Sequence, residues 1–400
     1  MQVLVVGSGA REHALAWRLR HSPLLDELHA APGNPGIATL GRCHPVRADD
    51  GDGLLALATT LEVDLVVIGP EAPLVAGVAD VLRQNGIAVF GPSAAAARIE
   101  GSKSFAKDVL RAAGVATAET LPVARAPCVI KADGLAAGKG VFVCRAQEDV
   151  DAALQAVASF GESMVIEELL EGPEVSVFAL CDGRRAVPFG AAQDFKRAHD
   201  DDEGPNTGGM GAYSPVGDLD PEALVATIHQ PVLDELGRRG APFVGCLFAG
   251  LMLTPEPKVL EFNARFGDPE TQVLMPRVEG DLLEALASAA RGRAPGEPVR
   301  TSGGAAVTVV LAAPDYPERS DYRGARIEGV AEAEATGALV FHGGTAVRGD
   351  TLVTNGGRIL SVTGTGETVQ AARERTYHAV RLISFEGARY RSDIAAGAHG

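Results

Sequence analysis

A chain of 400 residues, 46% of them hydrophobic, is long enough for several domains and more than one core, which argues against a disordered polypeptide. Asp and Glu outnumber Lys and Arg by 52 to 36, a formal charge of −16, so nonspecific adhesion to nucleic acid or anionic lipid is disfavoured and any phosphate must be held locally. The early apolar runs are far shorter than the roughly 20 residues of a bilayer span, no basic segment precedes a cleavage site, and five scattered cysteines without a C-x-x-C pair argue against a disulfide framework or thiolate zinc, which points to the cytoplasm.

The first hundred residues alternate β-branched runs with helical stretches: Val3 to Val6, a helix from about Glu12, Leu65 to Ile68, a helix through Val75 to Gln84, then Ile87 to Phe90. That rhythm predicts βαβ units on a parallel, Rossmann-like sheet. Strands ending in Gly7, Gly69 and Gly91 put flexible turns at the carboxyl edge, where open α/β sheets collect ligands. Ser93 is a candidate helix cap, and a second helix is expected from about Ser102.

From Val129 to about Phe189 a smaller unit is predicted, and the alternation of Val175, Val177 and Ala179 suggests a half-exposed sheet. Larger α/β texture then runs to about Arg293, interrupted by a polar loop from Asp200 to Gly211. A Pro, Gly and Arg stretch from Arg291 to Gly304 precedes a β-rich end with runs at Ala305 to Leu311, Ala338 to His342 and Arg358 to Val362, and one helix.

Gly7-Ser8-Gly9-Ala10-Arg11-Glu12 follows a strand and opens a helix, which aims N–H groups and the positive helix end at an anion. A dinucleotide fingerprint is disfavoured, because Glu12 stands where the third glycine belongs and Ala30, Ala31 and Pro32 replace the strand-end acid. Phosphate-ester or ribose binding fits better. In Val129 to Val141 a strand lysine, Lys131, leads into a loop with Gly134, Gly138, Lys139 and Gly140, able to cover a polyphosphate. It is not a Walker loop, since glycine follows Lys139.

Glu167-Glu168-Leu169 follows a strand where a nucleotide hinge would sit, and only one of the two acids can face outward if Met164 to Glu168 is extended. Glu261, Asn263 and Arg265 share one face if their strand runs that far. Mg²⁺ takes oxygen ligands, keeps waters and shares substrate phosphates, so one carboxylate and one amide suffice to dock it with ATP, while Arg265 steadies a transferred phosphoryl group. The segment from Gly204 to Pro215 is a potential oxyanion nest.

Lys131 with GLAAGKG, EELLEG and EFNARFGDPET resemble the ATP-grasp fold, in which two α+β lobes clamp ATP. Within it, GSGAREHALAW, APGNPG, GPEAPLVAG, EGSKSFAK, GPNTGGMGAYSP and EFNARFGDPETQ resemble the phosphoribosylamine-glycine ligase family in order and spacing over nearly the whole chain. The resemblance implies an α/β and α+β multidomain protein: an amino-terminal substrate-binding domain over 1–100, an ATP-grasp domain over 101–300 with its lid at about 122–189, and a small β-rich domain over 301–400. It implies ATP-driven joining of glycine to 5-phosphoribosylamine through glycyl phosphate, in purine biosynthesis. Such phosphoryl transfer needs positioning and charge neutralisation rather than a protein nucleophile.

Carried onto this sequence, the resemblance assigns Lys103 or Lys107, together with Lys131, to ATP phosphates, the Gly134 to Gly140 loop to their lid, Glu167, Glu168 and Leu169 to the hinge, and Glu174 to ribose. Mg²⁺ (or Mn²⁺) falls to Glu261 and Asn263, and the acyl phosphate to Arg265. Gly9, Arg11, Glu12, Asn34 and Glu71 are candidates for phosphoribosylamine; Asp194 with Asn206, Thr207, Gly208 and Gly209 are candidates for glycine or its acyl phosphate. The sequence departs from relatives in a trimmed stretch between Thr117 and Val129, in the lack of a further acid at Ala249 to Leu253, and in an alanine after Asp393-Ile394 where relatives often have glycine. A monomer without nucleic-acid or membrane partners is expected. The competing expectations are an ATP-grasp enzyme activating formate or bicarbonate, a nucleotide sensor without turnover, and an oxidoreductase.

Overall fold

The amino-terminal strands lie parallel in the order Arg42–Cys43, Glu27–Pro32, Gln2–Gly7, Leu65–Ile68, Val89–Phe90 in the computed structural model, which describes residues 1–135, 140–161, 163–217, 219–293 and 299–398. Val3 to Val6 are wholly buried because helices cover both faces of this sheet, as continuous β-branched runs demand. The helix expected through Val75 to Gln84 is two, Glu71–Val75 and Val78–Gln84, parted at Gly77, whose φ of 86° suits a residue without Cβ. Ser93 and Ser102 cap the next helices, Ala94–Gly101 and Lys103–Ala113, by accepting from the N–H groups of Ala96 and Phe105 at 3.2 Å.

The lid is a three-stranded antiparallel sheet of Val141–Cys144, Cys128–Ala132 and Met164–Glu168, on whose inner face Val150, Ala153 and Val157 of one helix pack. It ends sooner than the sequence suggests. Glu174–Asp182 and Ala186–Asp194, expected within the 122–189 unit, belong instead to a second sheet. Val175, Val177 and Ala179 are therefore fully buried rather than half-exposed, since a central strand of a covered sheet has no solvent face.

That second sheet has eight antiparallel strands in the order Lys258–Asn263, Val244–Met252, Glu174–Asp182, Ala186–Asp194, Gly211–Ser214, Ala305–Ala312, Arg358–Gly366, Leu339–His342. It crosses the expected boundary at residue 300, because Gly211 to Ser214 pair with Ala306 to Val309. Within the polar loop from Asp200 to Gly211, Glu203–Asn206 pairs antiparallel with Arg197–His199, which directly precedes the loop. Among the described residues the carboxyl-terminal region has two helices, Val330–Ala335 and Val369–Val380, rather than one. Among the described residues no helix is long and apolar enough to cross a membrane.

Candidate active site

A cleft of about 1640 Å³ opens between the lid, the amino-terminal turns and the edge of the large sheet. Of the residues singled out by sequence, Gly9, Arg11, Asn34, Glu71, Lys103, Lys107, Lys131, Gly134, Gly140, Glu167, Glu168, Leu169, Glu174, Asp194, Asn206, Thr207, Gly208, Glu261, Asn263 and Arg265 line it. Glu12 and Gly209 do not, and Gly138 and Lys139 lie outside the described residues.

On the lid, alternation along Met164–Glu168 turns Glu167 inward and Glu168 outward. The buried Glu167 carboxylate joins Lys107 and Lys131, each at 2.7 Å. Lys131 Nζ also donates to the Leu260 carbonyl at 2.9 Å, which sets a lid cation against the strand carrying Glu261. Burial pulls the Lys107 ammonium below its ordinary range, with Glu167 opposing. The Glu167 side chain is thus a partner of two lysines. Glu168 instead pairs with Lys258 at 2.7 Å, and Asp133 latches the lid to the helix Lys103–Ala113 by accepting from the Lys103 N–H at 2.7 Å.

Opposite the lid, Glu261 and Asn263 alternate along Lys258–Asn263, but that strand ends at Asn263 and Arg265 is placed by ion pairs instead. Its guanidinium meets Glu71 at 3.1 Å and Glu100 at 2.9 Å, both from the amino-terminal hundred residues. Burial raises the Glu71 carboxyl, but Arg265 and Arg11 outweigh it and bring it down to about 2. Burial likewise raises Glu261, yet Lys196, Lys131, Lys103 and Arg265 hold it below the usual carboxylate range, so it is an anion. An anionic carboxylate and a neighbouring amide oxygen facing a cleft are a donor set that fits Mg²⁺. Among the described residues no group of three His, Cys, Asp or Glu could hold a metal, so water and phosphate oxygens would complete the shell.

Beside this pair, Lys196 is ion-paired with Glu174, the residue expected at ribose. Asp194 is pushed up to about 8 by burial and by Glu270, Glu174 and Glu261, against the pull of Lys196.

Three expectations change. Glu12 is buried beneath its turn: its carboxylate accepts from the Gly9 N–H and from Arg11 Nε, each at 2.6 Å, and it fills the space that a side chain at Gly7 or Gly69 would need. It supports the loop rather than touching substrate. The Asn34 amide is tied to the carbonyls of Ser8 at 2.9 Å and His342 at 2.7 Å, so it pins the turn to the carboxyl-terminal region. The nest of open N–H groups is absent: Thr207 and Met210 donate to the Lys196 and Phe195 carbonyls at 2.7 Å, Gly208 to Tyr316 Oη at 2.9 Å, and Gly209 to Thr207 Oγ1 at 3.0 Å. The segment folds back on Phe195 and Lys196, which uses those donors, and Gly209 is turned against Pro269.

The models of the phosphoribosylglycinamide synthetase N domain, ATP-grasp (A) domain and C domain match residues 1–100, 101–271 and 306–397. The phosphoribosylamine-glycine ligase of Streptomyces coelicolor is 52% identical across 100% of both chains, and that of Mesorhizobium japonicum 48% identical over 98% of this chain and 97% of its own. The chain belongs to the phosphoribosylglycinamide synthetase family. Within the family, the solved phosphoribosylamine-glycine ligase of Thermotoga maritima is 36% identical and superposes with a TM-score of 0.85 over 99% of this chain and 100% of that one. The biotin carboxylase domain of the Hydrogenobacter thermophilus 2-oxoglutarate carboxylase, solved with MgADP and bicarbonate, shares only the fold, at 15% identity and a TM-score of 0.70 over 97% of this chain and 91% of that one.

Several cleft residues of this synthetase escaped the sequence pattern. Glu100 and Lys196 are isolated charges whose partners lie far along the chain; the spacing of Asp194 and Lys196, two apart, was the one signal available. Arg358 and Tyr316 come from the carboxyl-terminal region, where no motif announced them.

Proposed function

We propose that the chain catalyses ATP-dependent ligation of glycine to 5-phosphoribosylamine, giving glycinamide ribonucleotide, ADP and phosphate, in cytoplasmic purine biosynthesis. The observation that carries this is the convergence, in a member of this family, of Lys131 on the cover, Lys107 on the helix beneath it, and Glu261, Asn263 and Arg265 on the floor of one cleft.

In the proposed sequence a glycine carboxylate oxygen attacks the γ-phosphorus of ATP and ADP leaves. The phosphoribosylamine nitrogen then attacks the acyl carbon, losing a proton as phosphate departs. Lys103, Lys107 and Lys131 neutralise the triphosphate, Glu168 and Leu169 border the adenine, and Glu174 reaches the ribose from its pair with Lys196. Mg²⁺, or Mn²⁺ in its place, held by Glu261 and Asn263, would supply charge neutralisation between phosphates. Arg265 orients the phosphoryl group. Asp194 faces glycine or its acyl phosphate beside the Asn206 to Gly208 wall. Gly9, Arg11 and Glu71 face phosphoribosylamine, with Glu12 and Asn34 behind them. A monomer, with working units 1–100, 101–300 and 301–400, completes the proposal.

The test is ADP release with glycine and freshly generated phosphoribosylamine, each omitted in turn and glycine replaced by formate or bicarbonate. Full turnover requires both named substrates. ADP release that proceeds equally with formate or bicarbonate, with the matching product, overturns the assignment.

A further inference from the structure

The wall of the cleft assigned to glycine is held by a residue from far along the chain. Arg358 opens the strand Arg358–Gly366, and its side chain is three-quarters buried, 24% exposed. Through Nη1 it donates to the carbonyls of Gly208, Gly209 at 3.3 Å and Asp268 at 2.8 Å; through Nη2 it donates to Asp268 Oδ2 at 2.6 Å. The other Asp268 oxygen accepts from Gln272 Nε2 at 2.6 Å, and the Gly208 N–H donates to Tyr316 Oη at 2.9 Å. Packing is close, since a Cβ on Gly208 would stand 3.0 Å from Arg358 Cζ. A planar fork can meet acceptors from two segments at once, whereas an ammonium offers one point charge. Asp268 lies three residues beyond Arg265, so the same guanidinium ties the glycine-rich turn to the segment that carries the proposed phosphoryl-orienting arginine.

We propose that Arg358 is a positioning residue of the ligation, fixing the turn at Gly208 and the Asp268 segment as one wall against which glycine and then its acyl phosphate are held. This rests on the assignment of Asn206 to Gly208 to glycine. Arg358 acts through these neighbours; Tyr316 secures the same turn from its other side.

The experiment compares steady-state kinetics of Arg358→Ala, Arg358→Lys, Tyr316→Phe and Asn206→Ala in the full chain. Small misplacements of a reacting group cost up to about a hundredfold, so Arg358→Ala is expected to lower kcat/KM for glycine roughly ten- to a hundredfold. The KM for ATP stays within about twofold, because loss of uniform binding at one subsite leaves another unchanged. Added guanidinium ion restores part of the loss in Arg358→Ala, Arg358→Lys does not substitute for arginine, and Tyr316→Phe, which removes one hydroxyl, raises the glycine KM more modestly. Unchanged glycine kinetics in Arg358→Ala, or an equal loss toward ATP and glycine together with wild-type kinetics in Tyr316→Phe, overturns the positioning role. Wild-type glycine kinetics in Asn206→Ala overturns the subsite assignment itself, and so separates that failure from one confined to Arg358.

Discussion

Glu12 illustrates how one residue redirects a motif. The absence of a third glycine was visible in the sequence and argued against a dinucleotide; that the acid then fills the space beside Gly7 and Gly69 was not, because Gly69 follows a different strand, Leu65–Ile68. The same holds for Arg265, whose partners Glu71 and Glu100 precede it by more than a hundred residues and share no pattern with it. Glu261 and Asn263 were legible, since alternation along a strand is local. Glu261→Ala is expected to abolish ADP release while leaving the circular dichroism and unfolding midpoint near wild type; an active variant removes the metal assignment. Ala395 has a φ of 57°, in the left-handed region that favours glycine. Ala395→Gly is therefore expected to stabilise the chain by about 1 kcal/mol, read as a higher urea midpoint, because a Cβ costs roughly that much there. A lower midpoint would show that the alanine is unstrained. Glu71 gives a pH prediction. With its folded pKa brought to about 2, below the ordinary carboxylate value, its contribution to stability is present above the unfolded pKa and lost as pH falls through the folded one. Glu71→Gln should lower stability at neutral pH and converge with wild type in strong acid; parallel curves down to pH 2 would contradict it.

At the scale of elements, the parallel sheet and the lid hairpin were read from β-branched runs and glycine punctuation. Where the lid stops was not, because Glu174–Asp182 has the composition of an exposed strand as readily as of a central one; only its neighbours decide. A buried ionic bridge, Lys107 to Glu167 to Lys131, joins the helix Lys103–Ala113 to the lid, with all three side chains under 10% exposed. Removing the shared anion leaves two buried cations without it, an error that costs about 3–5 kcal/mol in buried pairs. Glu167→Gln is accordingly expected to unfold at a markedly lower temperature, and ATP should recover more stability in the variant than in the wild type, because the triphosphate supplies the missing negative charge. Equal shifts on adding ATP would mean that the two lysines do not meet the nucleotide.

For the whole molecule, the parallel amino-terminal sheet and the strand-rich carboxyl-terminal region were legible from composition and motifs, but the continuity of the large sheet was not, since strand pairing between Gly211 to Ser214 and Ala306 to Val309 spans nearly a hundred residues. A chain stopped after residue 300 would leave Gly211–Ser214 as a bare edge, and exposed edges invite association. Such a truncation is expected to aggregate on size-exclusion chromatography and to release no ADP; a monodisperse, active fragment would show that the last hundred residues are dispensable. The uninterrupted sheet has one more consequence. Its ladder ties the strand that carries Glu261 and Asn263 to the strands of the carboxyl-terminal region, so those parts of the cleft floor cannot spread apart without breaking backbone pairs. The lid strands stand outside this ladder, so a movement of the lid is expected to admit the reactants, and its pace can cap turnover whatever the speed of the bond-making steps.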